Sequence, residues 1–240
     1  MDLDRLRREL APRRILYYPS IDSTMRVAAG CERGTLVIAD EQLAGQGRHG
    51  HAWHSEPGAG IYCSLVLDLV LEAKPVLTLA LGLATVDAIA RSTGLVCDLR
   101  WPNDVMSGGK KTGGILVQLV DGAAIAGIGI NVNHTAFPPE LARDATSLRL
   151  QTGRPACRTD ILLALIPAID AFVQEDKDTI LRLFARASSY AAGRRVVVHE
   201  PGGSIEGTTA GLDADGFLVV RKDDGTDTLI LAGGVRAAGS

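Results

Sequence analysis

The chain has no cluster of lysine or arginine that suggests a nucleic-acid face. Charges of both signs are interspersed and the net is −3, so no face is marked for nucleic acid and none is expected as a partner. Cys31, Cys63, Cys97 and Cys157 form no C-x-x-C pair. A cysteine-held zinc site is therefore not indicated, and mostly apolar settings favour reduced core thiols in a cytoplasmic protein over a disulfide framework. Long apolar runs are also missing. The longest charge-free one near the middle, PVLTLALGLATV, spans 12 residues. That suits a buried helix, whereas a bilayer needs roughly 20, so no membrane partner is expected. The charged start, MDLDRLRREL, carries no secretory signal. There is no Walker A loop ending in Gly-Lys-Ser/Thr, no internal repeat and no low-complexity tract.

What is present suffices for a sizeable core. The chain has 240 residues and 46% are hydrophobic, enough for one large domain or a large and a small one. Residues 2–10 read as a short amphipathic helix and RILYY (14–18) as a strand. DSTMRVAAG reads as a helix with Asp22 or Ser23 as N-cap and Gly30 as its stop. TLVIAD (35–40) and GIYCSLVLDLV (60–70) are strands, and 75–93 is a long apolar helix ended by Gly94. Three apolar strands follow, LVCDLRW, TGGILVQLV and AAIAGIGINVN, with SGGKK in the turn between the first two. Helices near 159–173 and 177–189 come next. After Tyr190 the texture changes to short strands split by PGG, DADG and DDG turns, a compact all-β module of about fifty residues. Elements mixed without strict alternation make the larger part α+β. Domains of 1–189 and 190–240 are expected.

Three segments carry candidate chemistry. In GQGRHGHAWH (45–54), Gly45, Gly47 and Gly50 fit G-x-G-x-x-G. That fingerprint needs a strand directly before it and a helix directly after it. Here EQLA intervenes, and AWHSEPGAGIY cannot open a helix. A metal reading is weak, since His49 and His51 face opposite ways in an extended chain and no carboxylate or cysteine stands at ligand spacing. A plain solvated turn and an anion loop remain. The loop reading rests on Arg48 between glycines, whose bare backbone and planar fork of donors suit an anion.

The second segment is RWPNDVMSGGKKTGGILVQL (100–119). Trp101-Pro102 forces an extended entry, and Asn103 and Asp104 by themselves read as turn formers. Gly113 and Gly114 leave a strand bare for a ligand, with Lys111 as a compact charge at the cleft edge. The third is GIGINVN (127–133). Gly127 and Gly129 thin a strand, and Asn131 and Asn133 read as strand-end caps, or Asn131 as a donor–acceptor group for an adenine edge or the shell of a phosphate-bound metal.

In this order and spacing DSTM, EQLAGQGRHGHAW, RWPNDV…KKTGGIL and GIGINVN resemble the biotin protein ligases (biotin–[acetyl-CoA-carboxylase] ligase, holocarboxylase synthetase). The combination is specific, although each motif alone is not. The resemblance implies a mixed β-sheet catalytic domain of the class II synthetase/biotin ligase type and a small C-terminal SH3-like β-barrel. It implies biotin and MgATP as substrates, biotinyl-5′-AMP as intermediate, and a lysine of a biotin carboxyl-carrier domain as acceptor.

By the same resemblance Lys111 and Arg48 are the catalytic residues, Lys111 reaching the biotin carboxylate and the α-phosphate, Arg48 the adenylate phosphate. Ser23, Thr24, Gln42, Gly45, Gln46, Gly47, Lys111 and Gly114 fall on biotin-binding positions. Trp53, Asn103, Gly129 and Asn131 join Arg48 on the nucleotide side, and Asp104 is a candidate Mg²⁺ ligand. The glycine-arginine loop is implied to fold over the adenylate. The chain departs from the family at Gln46 and His51, where arginine is frequent, at Met25, which replaces asparagine, and at Arg100, which replaces lysine. Some members carry an N-terminal DNA-binding domain. The 22 residues before Ser23 are too few for one, so a monofunctional type is expected. A homodimer is compatible with the family. A lipoate–protein ligase and a non-catalytic biotin-sensing regulator are the alternatives.

Overall fold

The computed structural model describes residues 1–67, 74–200 and 203–238, the side chains of His49 and Lys74 excepted. Helix α1 (Leu3–Glu9) is opened by Asp2, whose carboxylate accepts from the Arg5 amide at 2.9 Å. Strand β1 (Ile15–Tyr18), helix α2 (Thr24–Ala28) and strand β2 (Leu36–Ala39) follow. Next come β3 (Gly60–Leu67), α3 (Lys74–Thr93), β4 (Asp98–Arg100), β5 (Asp104–Ser107), β6 (Lys110–Val120) and β7 (Ala123–Asn131). Helices α4 (Pro139–Ala142), α5 (Leu148–Thr152), α6 (Arg158–Phe172) and α7 (Lys177–Ala187) complete the first part. Strands β8 (Ala192–Glu200), β9 (Gly203–Leu212), β10 (Leu218–Arg221), β11 (Asp227–Ile230) and β12 (Gly234–Ala237) form the second.

The seven-stranded sheet has the order β1-β2-β3-β7-β6-β5-β4. Among the described residues β1 and β2 form its parallel ladder and the other ladders are antiparallel, so the sheet is mixed and the class is α+β as expected. Every residue of β3 is buried, because both of its faces are covered. Leu36, Ile38, Ile61 and Leu65 join Leu79, Leu81 and Ile89 of α3 and Leu162, Leu165 and Ile169 of α6 in the main core. Burying each such side chain stabilises by about 1.5–3 kcal/mol. On the opposite face Val37, Val66 and Ile125 pack with Ala28 of α2 in a small cluster. Since α2 covers only this patch, the face stays open beside it, where β6 and β7 carry their glycines.

The long apolar helix is α3, closed by Gly94 at φ +76°. By length and composition Pro75–Thr93 could cross a membrane, yet most of it is buried in this core.

Several elements differ from the sequence reading. LVCDLRW is not one strand. Residues 101–103 turn the chain after three residues of β4, and β5 returns beside it with Arg100 opposite Asp104. SGGKK therefore joins β5 to β6, with Gly108 and Gly109 at positive φ. Short helices α4 and α5 were not expected. Ser23 is the N-cap of α2 but makes no side-chain cap bond, and Asp22 instead pairs with Arg26 at 3.0 Å. The strand read over 60–70 is described to Leu67, and Pro201 and Gly202 of the PGG turn lie outside the described residues. Cys63 and Cys97 are buried, their thiols pushed up to about 12 by burial, but Cys157 is exposed, contrary to a core setting.

The second sheet is antiparallel with the order β11-β10-β9-β8-β12. Its strands match the SH3-like expectation, although no ladder joins edge strands β11 and β12 among the described residues. Trp101 Nε1 donates to the Gly216 carbonyl at 2.9 Å, tying this sheet to the β4–β5 turn.

Candidate active site

An open-mouthed cavity lies on the sheet face that α2 leaves bare. Ser23, Thr24 and Gln42 line one end, and Arg48, Asn103 and Lys111 the other. Gln46, Gly47 and Trp53 roof it; Gly114, Gly127 and Gly129 form its floor.

The first end is neutral. The Gln42 side-chain carbonyl accepts from the Thr24 amide at 2.9 Å and from Thr24 Oγ1 at 3.0 Å. Thr24 Oγ1 in turn meets Ser64 Oγ of β3 at 2.8 Å. With Thr24 Oγ1 donating to Gln42, Ser64 is the donor of the second bond. This fixes the amide of Gln42 so that its nitrogen carries the free donors. Ser64 is fully buried and no motif points to it.

The second end is charged. Asp104, at the start of β5, has both carboxylate oxygens engaged. Oδ1 meets Lys111 Nζ at 2.5 Å, and Oδ2 accepts from Arg100 Nη2 at 2.7 Å and Nε at 3.1 Å. Burial alone would raise the Asp104 carboxyl; Lys111 and Arg100 outweigh it and hold it below the usual carboxylate range.

Lys111 reaches the cavity through a β-bulge. Three residues before Gly114, a regular strand would turn it to the other face. The β5–β6 register pairs Val105 with Gly113 and Met106 with Lys111, so Thr112 is the extra residue. The bulge returns Lys111 to the face of Gly114, where its Cε and Nζ come within 3.2 Å of the place a Cβ would occupy.

The roof is the glycine-arginine loop, closed on itself. The Gly47 amide donates to the His51 carbonyl at 2.7 Å and the Trp53 amide to the Gly45 carbonyl at 2.9 Å. Arg48–Gly50 is a single 3₁₀ turn, with Gly50 at φ +76°. Arg48 Nη1 donates to Asn103 Oδ1 at 3.2 Å and to the carbonyl of Gly233, just before β12, at 3.4 Å. Burial lowers the Arg48 pKa, opposed by Asp104.

The Trp53 ring lies against the floor at Gly129 and Gly114. A Cβ on Gly129 would stand 2.5 Å from its ring, and one on Gly127 would stand 2.6 Å from Met25 Sδ. Lys111 Nζ lies 5.5 Å from the Trp53 ring centroid. Trp53 Nε1 is buried and meets no partner among the described residues, so it can donate to a ligand.

Eleven of the fourteen expected site residues line this cavity, and Gly45, Asp104 and Asn131 do not. Gly45 is buried behind the loop, where a Cβ would approach Gln42 Nε2 to 3.0 Å. Asn131 is buried and donates to the Thr146 carbonyl at 3.0 Å, pinning the chain before α5. Asp104, read as a Mg²⁺ ligand, instead anchors two cations. Asn103 holds Arg48 through Oδ1 and the Ile115 carbonyl through Nδ2. The sequence reading did not assign Met25, Cys63, Gly127 or the Gly233 carbonyl. Gly127 alone carried a signal, its alternation with Gly129.

The biotin/lipoate A/B protein ligase family model matches residues 17–134, and the biotin protein ligase C terminal domain matches residues 192–235. The bifunctional ligase/repressor BirA of Bacillus spizizenii is 32% identical over 237 residues, covering 92% of this chain and 73% of the relative. The biotin–[acetyl-CoA-carboxylase] ligase of Mycobacterium tuberculosis is 35% identical over 224 residues, covering 89% and 82%. Among solved structures, the Aquifex aeolicus biotin protein ligase in complex with biotin and ATP superposes with a TM-score of 0.86 at 29% identity, covering 94% of this chain and 99% of that one.

Proposed function

Because the chain belongs to the biotin protein ligases of the biotin/lipoate A/B protein ligase family, we propose that this cavity is where biotin and ATP meet. The enzyme joins the biotin carboxylate to the α-phosphate of ATP, releasing pyrophosphate. A lysine amine of a carrier-protein domain then attacks the acyl carbon and AMP leaves. We assign residues 1–189 to biotin and nucleotide binding and 190–240 to the accessory module. The same reading takes the enzyme to be cytoplasmic.

One observation carries this reading: a neutral hydrogen-bonding end and a cationic end share one cavity. The ureido ring of biotin offers a carbonyl acceptor and N–H donors, which suit Ser23, Thr24 and the free amide donors of Gln42. A lipoyl head offers no such groups.

At the other end two anions must approach. Arg48, Arg100 and Lys111 outnumber the single carboxylate of Asp104 there, so the net field offsets their repulsion. Lys111, anchored by Asp104 and set over the floor, bridges the carboxylate and the α-phosphate. Positioning the two groups supplies much of the rate. Trp53 stacks over the ligand, and its indole N–H finds an acceptor on it.

Mg²⁺ arriving with ATP would neutralise charge on the departing pyrophosphate. Asp104 has both oxygens engaged by Lys111 and Arg100 and is not free to hold it. Phosphate oxygens and water would hold it.

The test is incubation with ATP and either biotin or lipoate, followed by mass spectrometry of the acyl-adenylate. Biotinyl-5′-AMP alone is expected. A lipoyl adenylate made equally well would overturn the assignment of the neutral end, and no adenylate at all would leave the regulator reading.

A further inference from the structure

We propose a transition-metal site outside the cavity, formed by His54, Glu56 and His134 and suited to Zn²⁺ or another divalent first-row ion. The three residues each offer a ligand atom, and these atoms lie within 4.8 Å of one another. None of the three lines the cavity.

His134 makes the cluster more than a chance grouping. It is fully buried, yet its Nδ1 has no hydrogen-bond partner among the described residues. The hydrogen bonds around it explain which nitrogen is available. Tyr62 Oη lies 3.1 Å from the Glu56 carbonyl, which can only accept, and 3.3 Å from His134 Nε2. With the Tyr62 proton on that carbonyl, Nε2 must be the protonated nitrogen and donate to Oη. Nδ1 is then a bare lone pair in an interior where an unpaired polar atom is costly. A metal ion satisfies it, and Tyr62 becomes the outer-shell partner that orients the ring. The ring is further held by stacking on Phe137 at 5.1 Å between centroids with a 12° interplanar angle.

Half-buried His54 stands with its ring centroid 6.0 Å from that of His134. Glu56, two residues on, supplies the carboxylate. Two histidines and one carboxylate are a zinc donor set with a position left open. Tetrahedral zinc at about 2.0–2.1 Å from its ligands spaces them about 3.3 Å apart, so the atoms must draw in by up to about 1.5 Å. Rotation of the His54 and Glu56 side chains can supply that movement while His134 stays fixed.

The ion would join the segment just after Trp53 to the chain beyond β7. It would thereby brace the base of the loop that roofs the cavity. This does not rest on what the cavity binds.

The full chain, stripped with a chelator and free of nucleotide, is titrated with Zn²⁺ against a chromophoric competitor. A parallel Co²⁺ titration is followed in the visible, with excess Mg²⁺ throughout. One equivalent is expected, with cobalt d–d bands and a higher Tm. His54→Ala and Glu56→Gln should each weaken binding by about tenfold or more and remove the Tm gain. His51→Ala and Cys157→Ser, at exposed alternative ligands, should change neither. Both test positions lie near the surface end of the cluster, and circular dichroism checks that the variants fold. The proposal fails if wild type binds less than one equivalent, if binding survives both His54→Ala and Glu56→Gln, or if Cys157→Ser abolishes it.

Discussion

The two ends of the cavity are built by different means. At the neutral end, Thr24, Gln42 and Ser64 share short hydrogen bonds between α2, β3 and the segment after β2. These bonds form without a ligand and leave the Gln42 amide nitrogen free to donate, so the end is in place before a ligand arrives. At the charged end, Lys111 and Arg100 converge on Asp104, and Arg48 is tethered by Asn103 and the carbonyl of Gly233 before β12. Each cation there has a stand-in partner that a substrate anion must compete with or replace. On the proposed reading the neutral end selects, whereas the charged end responds to charge as it is brought in. Binding energy spent equally on ground and transition states would then belong to the first, and rate to the second.

The sharpest way to break this comparison is Lys111→Ala. Adenylate formation should fall by about a hundredfold or more, about 2.7 kcal/mol, with the biotin KM little changed. Lys110→Ala is the control, since Lys110 Nζ only donates to the Ala142 carbonyl at the surface, and should stay within about twofold. Single-turnover adenylate formation measures both. Activity of Lys111→Ala within about threefold of wild type, under 1 kcal/mol, would remove it from the mechanism.

Arg48→Gly should act on release more than on chemistry. Biotinyl-5′-AMP keeps one phosphate charge, and a charge-assisted hydrogen bond to it contributes roughly 1.5–3 kcal/mol, or ten- to a hundredfold in dissociation. The escaped mixed anhydride acylates bystander lysines. A streptavidin blot with albumin and no carrier domain reads this directly. Equal faint bands from wild type and variant, with adenylate still formed, would assign the hold to the loop's backbone amides.

Asp104→Asn separates anchoring from metal binding. Lys111 and Arg100 lose their shared partner, and misplacing Lys111 should slow adenylation by about tenfold. The Mg²⁺ concentration giving half-maximal rate should stay the same. A large rise in that concentration would restore Asp104 as a metal ligand.

The smallest effect belongs to the neutral end. Gln42→Ala should raise the biotin KM by roughly three- to tenfold, the 0.5–1.5 kcal/mol of a neutral hydrogen bond, and leave kcat nearly unchanged. A fall in kcat at constant KM would mean that the two ends are not separate in function.

The sequence by itself determined the apolar helix α3, the strands with period-two or continuous apolar pattern, and the shift to short strands after Tyr190. These rest on local periodicity and turn chemistry, which need no partner to be read. Motif order also brought most of the cavity's residues to notice. Only the tertiary structure decided how they are used. Lys111 and Gly114 share a face because of a bulge set by pairing with β5, a strand that the compact turn over 101–103 concealed. Asn131 stands on the strand of Gly129 but is turned to Thr146, and Asp104 to its two cations. His54 and Glu56 meet His134 across some eighty residues of chain. Registers, bulges and long-range pairings are fixed by packing between segments distant in the sequence, and no local pattern encodes them.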